Sequence, residues 1–235
     1  MSISENICII PAKGTSTRLK RKNILPIGGK PMINYAISAA INSKVFNKNI
    51  YVSTEDIEIC NIAKKNGAKV PFLRPKKLSF DPFGIKDVII DFLDKMPALN
   101  EAKNLTIILP TCPFITKDDI MKAHELFKNS KSKVLTSITE TDHNAHRCVT
   151  MKGDYIKPIF NDKIEKKSQE LELTYYLNGG ITIIDIKTFL VTKNFFSHPI
   201  LPYVLPINRS IDIDTYDDYL RAKYMFENLD SNIST

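Results

Sequence analysis

Two groups of residues in this 235-residue chain have the types and spacing to handle a phosphorylated ligand. Asp212 and Asp214 sit two apart in the run Ser210-Ile211-Asp212-Ile213-Asp214. In an extended segment both carboxylates point to one face while Ile211 and Ile213 turn to the other. Two carboxylates on one surface repel unless a cation lies between them, and oxygen ligands completed by water and phosphate suit Mg2+ better than zinc. A helix start capped by Thr215 and Asp218 accounts for Asp217 and Asp218, but not for Asp212 and Asp214. The second group follows Pro11: Gly14, Thr15, Ser16 and Thr17 are small and permit close backbone approach, and Lys13, Arg18, Lys20, Arg21 and Lys22 surround them with positive charge. Backbone amides and cations gathered beyond a strand's carboxyl end make an anion site. The competing reading of that loop is a solvated basic turn.

The elements that must position these groups follow from hydrophobic periodicity. Ile7, Cys8, Ile9 and Ile10 suit a strand buried on both faces, and Pro11 withholds the next backbone donor and ends it. Met32 to Ser43 places Ile33, Ile37, Ala40 and Ile41 at helical spacing. Asn49 to Ser53 reads as a second strand, and Thr54 stands where the cap of a helix from Glu55 to Asn66 belongs, with Gly67 as its stop. Val70 to Leu73 predicts a third strand, Ile85 to Met96 a helix and Leu105 to Leu109 a central strand. Thr116 to about Phe127 predicts a helix opened by a Thr116 and Asp119 capping box. Tyr175 to Ile184 and Leu201 to Pro206 read as further strands, Ile211 to Ile213 as a last short one, Tyr216 to Asn228 as a terminal helix, and Ser231 to Thr235 as a disordered tail. The alternation predicts an α/β fold with a mostly parallel sheet and helices on both faces.

Between Val134 and about Tyr175 the pattern changes. After a strand at Val134 to Ile138, Cys148 to Met151 and Tyr155 to Ile156 flank a Lys152-Gly153-Asp154 turn, and a polar run follows. This stretch, approximately 140–175, reads as an insertion in a single domain covering 1–235, a length that buries one good core.

Composition narrows the partners. The net charge of +7 comes from 33 basic and 26 acidic residues, and the basic residues are nearly all Lys, dense only in the first loop. A nucleic-acid surface would favour Arg interleaved with aromatics, and no zinc-finger, helix-turn-helix or RNP-type pattern is present. The four cysteines have no C-x-x-C spacing, which disfavours metal knuckle and disulfide framework alike. No apolar run reaches the roughly 20 residues a membrane helix needs. The expectation is a cytoplasmic protein acting on a small anion, with no nucleic-acid or membrane partner. The first loop also lacks both G-x-x-x-x-G-K-[ST] and G-x-G-x-x-G, so kinase and dehydrogenase readings lose their main support.

The run Ile9-Ile10-Pro11-Ala12-Lys13-Gly14-Thr15-Ser16-Thr17-Arg18, with Lys22-Asn23 and Gly29-Lys30-Pro31, resembles the opening of the acylneuraminate cytidylyltransferases, the CMP-sialic acid synthetases. Three later stretches resemble the same family in order: Ser53 to Asp81, Leu177 to Ile183 and Ser210 to Tyr219. The resemblance implies a Rossmann-like nucleotidyltransferase fold. It also implies transfer of CMP from CTP to the anomeric hydroxyl of a nine-carbon 2-keto (nonulosonic) sugar acid, with release of pyrophosphate. Carried over by motif, Lys13, Gly14, Ser16, Asn23 and Asp81 bind the nucleotide, with Arg18 and Lys22 on its phosphates. Asp212 and Asp214 hold Mg2+, and one of the pair assists deprotonation of the hydroxyl, so Lys22, Arg18 and Asp212 are the catalytic candidates. Arg147, Asn178 and Gly179 fall near the sugar acid. The inserted segment corresponds to an arm that exchanges contacts with a second subunit, implying a homodimer. Lys13 stands where the family usually has Arg, and Leu109-Pro110-Thr111-Cys112-Pro113-Phe114-Ile115 lacks the Gln, Ser and Arg of the family's L-Q-P-T-S-P-L-R. An altered acceptor is the simplest explanation. Two alternatives are CMP transfer to a shorter 3-deoxy sugar acid, suggested by Ser16-Thr17-Arg18-Leu19, and a non-catalytic nucleotide- or nucleic-acid-binding module.

Overall fold

The structure, a computed structural model, describes residues 5–229. Strand β1 (Asn6–Pro11) has no solvent face: Cys8 and Ile10 pack into one apolar cluster, and Ile7 and Ile9 into another on the opposite side. After it come a short ladder of β2 (Pro26–Ile27) with β3 (Lys30–Pro31), helix α1 (Ile33–Ser43), strand β4 (Ile50–Ser53), and helices α2 (Ile57–Lys65) and α3 (Ile85–Lys95). Strand β5 (Asn104–Ile108), helix α4 (Lys117–Lys128) and strand β6 (Val134–Glu140) precede the hairpin β7 (Val149–Lys152) and β8 (Tyr155–Pro158). Strand β9 (Tyr175–Asp185), helix α5 (Ile186–Thr192), strand β10 (Ile200–Val204) and helix α6 (Tyr216–Leu229) complete the chain.

Six strands form one sheet in the order β10-β6-β9-β5-β1-β4. Strand β1 runs parallel to β4 and β5, and β6 parallel to β10, while β9 is antiparallel to both of its neighbours. The sheet is therefore mostly parallel, and β1, β4 and β5 end on the edge from which the cationic loop leaves. Residues of α1, α2 and α4 pack into the cluster that holds Cys8 and Ile10, and residues of α3 and α5 into the one that holds Ile7 and Ile9. A third cluster joins the two ends of the chain: Leu19 and Ile27 pack with Phe114, Ile213 and Ala222 of α6. Each of the larger side chains, Leu19, Ile27, Phe114 and Ile213, contributes roughly 1.5–3 kcal/mol on burial. That packing carries Asp212 and Asp214 to the first loop.

Three local expectations are corrected. Helix α2 begins at Ile57, capped by Asp56, whose side chain accepts from the Glu58 and Ile59 amides; Thr54 instead accepts from the Asp56 amide. Val70 to Leu73 forms no strand. Its approach pairs through Lys69 alone, opposite Tyr51, and Pro71 then withholds the donor that would continue the ladder. Ile211 to Ile213 lies outside the sheet because the Ile213 amide donates to the Thr111 carbonyl, yet Ile213 is buried as the alternation requires. The proposed tail, Ser231 to Thr235, lies outside the described residues. The β7–β8 hairpin is a separate sheet without a core, with Met151, Tyr155 and Ile156 exposed by 72%, 80% and 66%.

Candidate active site

A cleft of about 280 Å³ lies at the strands' carboxyl edge, lined by Lys13, Ser16, Lys22 and Asn23 of the first loop, by Arg74 and Ser79, by Leu109 to Thr111, and by Asp212 and Asp214. Its first wall is held by side chains. Arg21 adopts the left-handed conformation (φ 56°) and opens a single 3-10 turn at Lys22–Ile24, sending its guanidinium to Asp56 and Glu58. Asn23 Nδ2 donates to the Lys13 carbonyl at 2.8 Å, closing the loop on itself. The Gly14 amide donates to Glu55 Oε1 at 2.7 Å, so it is already engaged by the protein. A Cβ on Gly14 would lie 2.4 Å from Asp56 Oδ2.

The opposite wall carries the carboxylates. Three braces hold their segment: Arg209 forks onto both oxygens of Asp119, the Asn178 carboxamide donates to the Ser210 carbonyl at 3.2 Å, and the Ile213 amide reaches Thr111 at 2.9 Å. Asp218 accepts from the Thr215 amide at 2.8 Å and the Asp214 amide at 3.1 Å, which confirms its capping role. Asp214 meets Lys22 Nζ on one oxygen and Arg18 Nη2 on the other, each at 2.5 Å. Asp212 is different. Burial pushes its carboxyl above the usual carboxylate range, and Asp214 adds to this, while Thr111 and Lys22 pull against it.

Ser16 Oγ, Arg74 Nε and Asp212 Oδ1 are buried without a hydrogen-bond partner, and all three residues line this one cleft. Buried polar atoms in folded proteins are nearly always paired, so this concentration makes the cleft the candidate site for a polar ligand. Among the described residues no cluster of three or more His, Cys, Asp or Glu could hold a metal. Two carboxylates, one with a free buried oxygen, fit a hard cation that takes its remaining ligands from phosphate and water.

Other candidate residues fall elsewhere. Arg18 is not in the lining and reaches the cleft's edge through Asp214. Asp81 is exposed, just beyond the Ser79 that lines the cleft. Arg147 spends its guanidinium on the Ile164 and Lys166 carbonyls inside the insertion. Asn178 is buried, both ends of its carboxamide engaged by protein groups. Gly179 lines a second, apolar pocket of about 150 Å³ with Leu177, Phe195 and Phe196, which shares Ile85 and Leu109 with the cleft. In the divergent stretch, Cys112 and Ile115 are buried against Gly180, and Phe114 stacks on Phe226 at 4.5 Å, so the departures at these positions are absorbed by packing.

Sequence reading missed Arg74. It is a buried cation whose Nη1 donates to the Ser53 carbonyl at 3.1 Å and whose Nη2 donates to Ser79 Oγ at 2.9 Å. Its Nη2 also lies 3.0 Å from Glu55 Oε2, an ion pair whose angles fall short of a hydrogen bond. The signal available was an arginine in a chain with only six, placed between an apolar run and a proline-rich loop.

Comparison with known proteins gives consistent results. The chain matches the family model described as Cytidylyltransferase over residues 7–178. It is similar to the pseudaminic acid cytidylyltransferase of Campylobacter jejuni, 34% identical over 225 residues that cover 95% of this chain and 97% of that protein. It is also similar to the CMP-N,N'-diacetyllegionaminic acid synthase of Legionella pneumophila, 34% identical over 224 residues, 94% of this chain and 96% of that one. Among solved structures, a CMP:2-keto-3-deoxy-manno-octonic acid synthetase complexed with CTP shares the fold with a TM-score of 0.72 at 16% identity, over 96% of this chain and 99% of its own.

Proposed function

This chain belongs to the cytidylyltransferase family, and we propose that it transfers CMP from CTP to the anomeric hydroxyl of a nonulosonic acid with release of pyrophosphate. The observation that carries the reading is the convergence in one cleft of Lys22 and Asp212 with two buried atoms that lack a partner, Ser16 Oγ and Arg74 Nε. The full-length relatives named for pseudaminic and N,N'-diacetyllegionaminic acids support a nine-carbon acceptor over the shorter 3-deoxy sugar acid. The likeness to the octonic acid synthetase is one of fold.

Lys13 and Lys22, with Arg18 at the edge, bind the triphosphate and stabilise charge that grows on it as the α-phosphorus–oxygen bond to pyrophosphate breaks. Ser16, Asn23 and Arg74 hold the nucleotide by hydrogen bonds. Asp212 and Asp214 hold Mg2+, which when bound neutralises and orients phosphate oxygens. The acceptor hydroxyl attacks the α-phosphorus and gives its proton to a carboxylate of this pair. Asp212, which keeps a buried oxygen without a partner in the cleft, is the better placed to take it. The acceptor lies toward Gly179, where the apolar pocket suits methyl or acyl substituents on an acidic sugar.

The β7–β8 hairpin, with its exposed Met151, Tyr155 and Ile156, is an arm that a second copy of the chain covers. The reaction belongs in the cytoplasm, where CTP is available; among the described residues no helix is long and apolar enough to cross a membrane.

Pyrophosphate release with Mg2+, measured with each of the four nucleoside triphosphates against pseudaminic, legionaminic, N-acetylneuraminic and 3-deoxy octonic acids, tests the reading. Release with CTP and one nonulosonic acid is expected. Turnover only with the octonic acid would replace the acceptor, and absence of CTP binding would overturn the reaction.

A further inference from the structure

Strand β9 breaks its ladder with β6 beside the cleft. Thr136 pairs with Thr182 and Ile138 with Leu177, so Ser137 alone spans the stretch from Asn178 to Ile181. Gly179 takes φ +65°, a conformation that costs glycine little and lets the strand bulge there. The Ser137 hydroxyl, fully buried, fills the gap: it accepts from the Ile181 amide at 3.0 Å and donates to Asn178 Oδ1 at 2.5 Å. The Gly180 amide donates to the same oxygen at 3.3 Å. With its oxygen fixed from two sides, Asn178 presents Nδ2 to the Ser210 carbonyl at 3.2 Å, and Ser210 is itself buried.

We infer that Asn178 is a positioning residue for the metal-binding carboxylates, anchoring Ser210 so that Asp212 and Asp214 are held facing the first loop, and that it is not a ligand of the acceptor sugar. The inference rests on the metal role proposed for those two carboxylates. Only a carboxamide meets the demand at this position, because one end must accept from Ser137 and Gly180 while the other donates to a carbonyl. Leucine can do neither and aspartate cannot donate. The alternation along β9 agrees with this division of labour, since Leu177 and Gly179 line the apolar pocket while Asn178 turns away from it to Ser210. Losing such a bond costs little binding energy directly, but it releases the backbone that fixes the distance between the carboxylates and the phosphate-binding cations.

The test uses the full chain with Mn2+ as a paramagnetic substitute for Mg2+. Mn2+ binding is measured by electron paramagnetic resonance in the presence of CTP, and pyrophosphate release is measured as a function of Mg2+ and of acceptor. Asn178→Ala removes all three side-chain hydrogen bonds without adding charge. It is expected to weaken Mn2+ binding about tenfold and to raise the Mg2+ requirement by a similar factor, the effect of about one hydrogen bond, while the acceptor KM stays within about twofold. Ser137→Ala leaves Asn178 in place but frees its oxygen from one donor. It should shift metal binding the same way by about threefold, and decides the matter if Asn178→Ala does not fold. A raised acceptor KM with Mn2+ binding unchanged in both variants would overturn the inference and make Asn178 a sugar ligand. A wild-type chain that binds no Mn2+ with CTP would overturn the metal reading itself, a failure visible before any variant is made.

Discussion

Arg18 and Asp214 are 196 residues apart in sequence, and Arg18 Nη2 lies 2.5 Å from Asp214 Oδ2. The other oxygen of the same carboxylate receives Lys22 Nζ. The two cations differ in setting: the Arg18 side chain is 68% exposed, the Lys22 side chain 12%. A solvent-exposed ion pair contributes at most about 1 kcal/mol, whereas a cation in a sheltered cleft acts on developing charge with little screening. Lys22→Met is therefore expected to lower turnover by about 10²–10³, in the range seen when a charge-stabilising donor is removed, and Arg18→Gln by about tenfold. Asp214→Asn should abolish metal-dependent turnover without weakening CTP binding in EDTA, because it releases both cations. Steady-state pyrophosphate release and calorimetric CTP binding check all three. Equal losses for Lys22→Met and Arg18→Gln would contradict the ranking.

The loop that carries these cations has no room for a side chain at its first glycine. A Cβ at Gly14 would strike Asp56 Oδ2 and Cβ, at 2.4 and 2.8 Å, and Asp56 cannot retreat freely. It caps α2 through the Glu58 and Ile59 amides and pairs with Arg21. Gly14→Ala should therefore displace the loop rather than the helix. Folding would survive, with CTP binding weakened by at least tenfold and the melting temperature lowered by a few degrees, corresponding to ~1 kcal/mol. Unchanged CTP affinity would show that the loop's exact path does not matter to the nucleotide.

Much of this architecture was legible in the chain, and the exceptions have physical causes. The two-faced burial of β1, the capping box of Thr116 with Asp119, and the shared face of Asp212 and Asp214 are local patterns, set by residue order and strand or helix period. The roles of Asp119 and Asn178 go beyond any local pattern. Asp119 also receives Arg209 and Tyr203, and Asn178 bonds Ser210, partners that only the folded topology supplies. Val70 to Leu73 has strand-like composition, but its ladder stops at Lys69 because Pro71 removes a donor. Arg74 escaped notice because a buried arginine is recognised by what surrounds it, here Glu55, Ser53 and Ser79.

The hairpin of the insertion gives a prediction about assembly. Met151, Tyr155 and Ile156 project from a two-stranded sheet that has no core of its own, an arrangement that is marginally stable in water unless something covers it. Light scattering should give twice the chain mass. Tyr155→Glu combined with Ile156→Glu should give the monomer mass, with near-ultraviolet dichroism retained. A wild-type monomer would remove the argument for a partner that covers this hairpin.

The last prediction concerns acid stability, and it depends on His124, far from the cleft. Its Nε2 lies 2.9 Å from Thr106 Oγ1 and its ring meets the edge of Phe46, with centroids 5.4 Å apart. Burial pushes its pKa down to about 4 from 6.5, against a small upward pull from Glu5. The folded chain therefore keeps a neutral imidazole where the unfolded chain binds a proton. The unfolded state is favoured progressively as pH falls from about 6.5 to about 4, by at most ~3 kcal/mol, and the term vanishes above that window. The paired carboxylates act in a different range. Burial raises the Asp119 carboxyl, but Arg209 and Thr116 outweigh it and hold the group below the usual value of 3.8, so its contribution is lost only as pH falls further. His124→Gln keeps a group able to bond Thr106 and removes the titration. Its melting temperature should decline less than that of the wild type between pH 7 and pH 4.5, by roughly half or more of the wild-type drop if His124 dominates the window. Parallel curves for the two proteins would show that the imidazole is accessible to protons in the folded state.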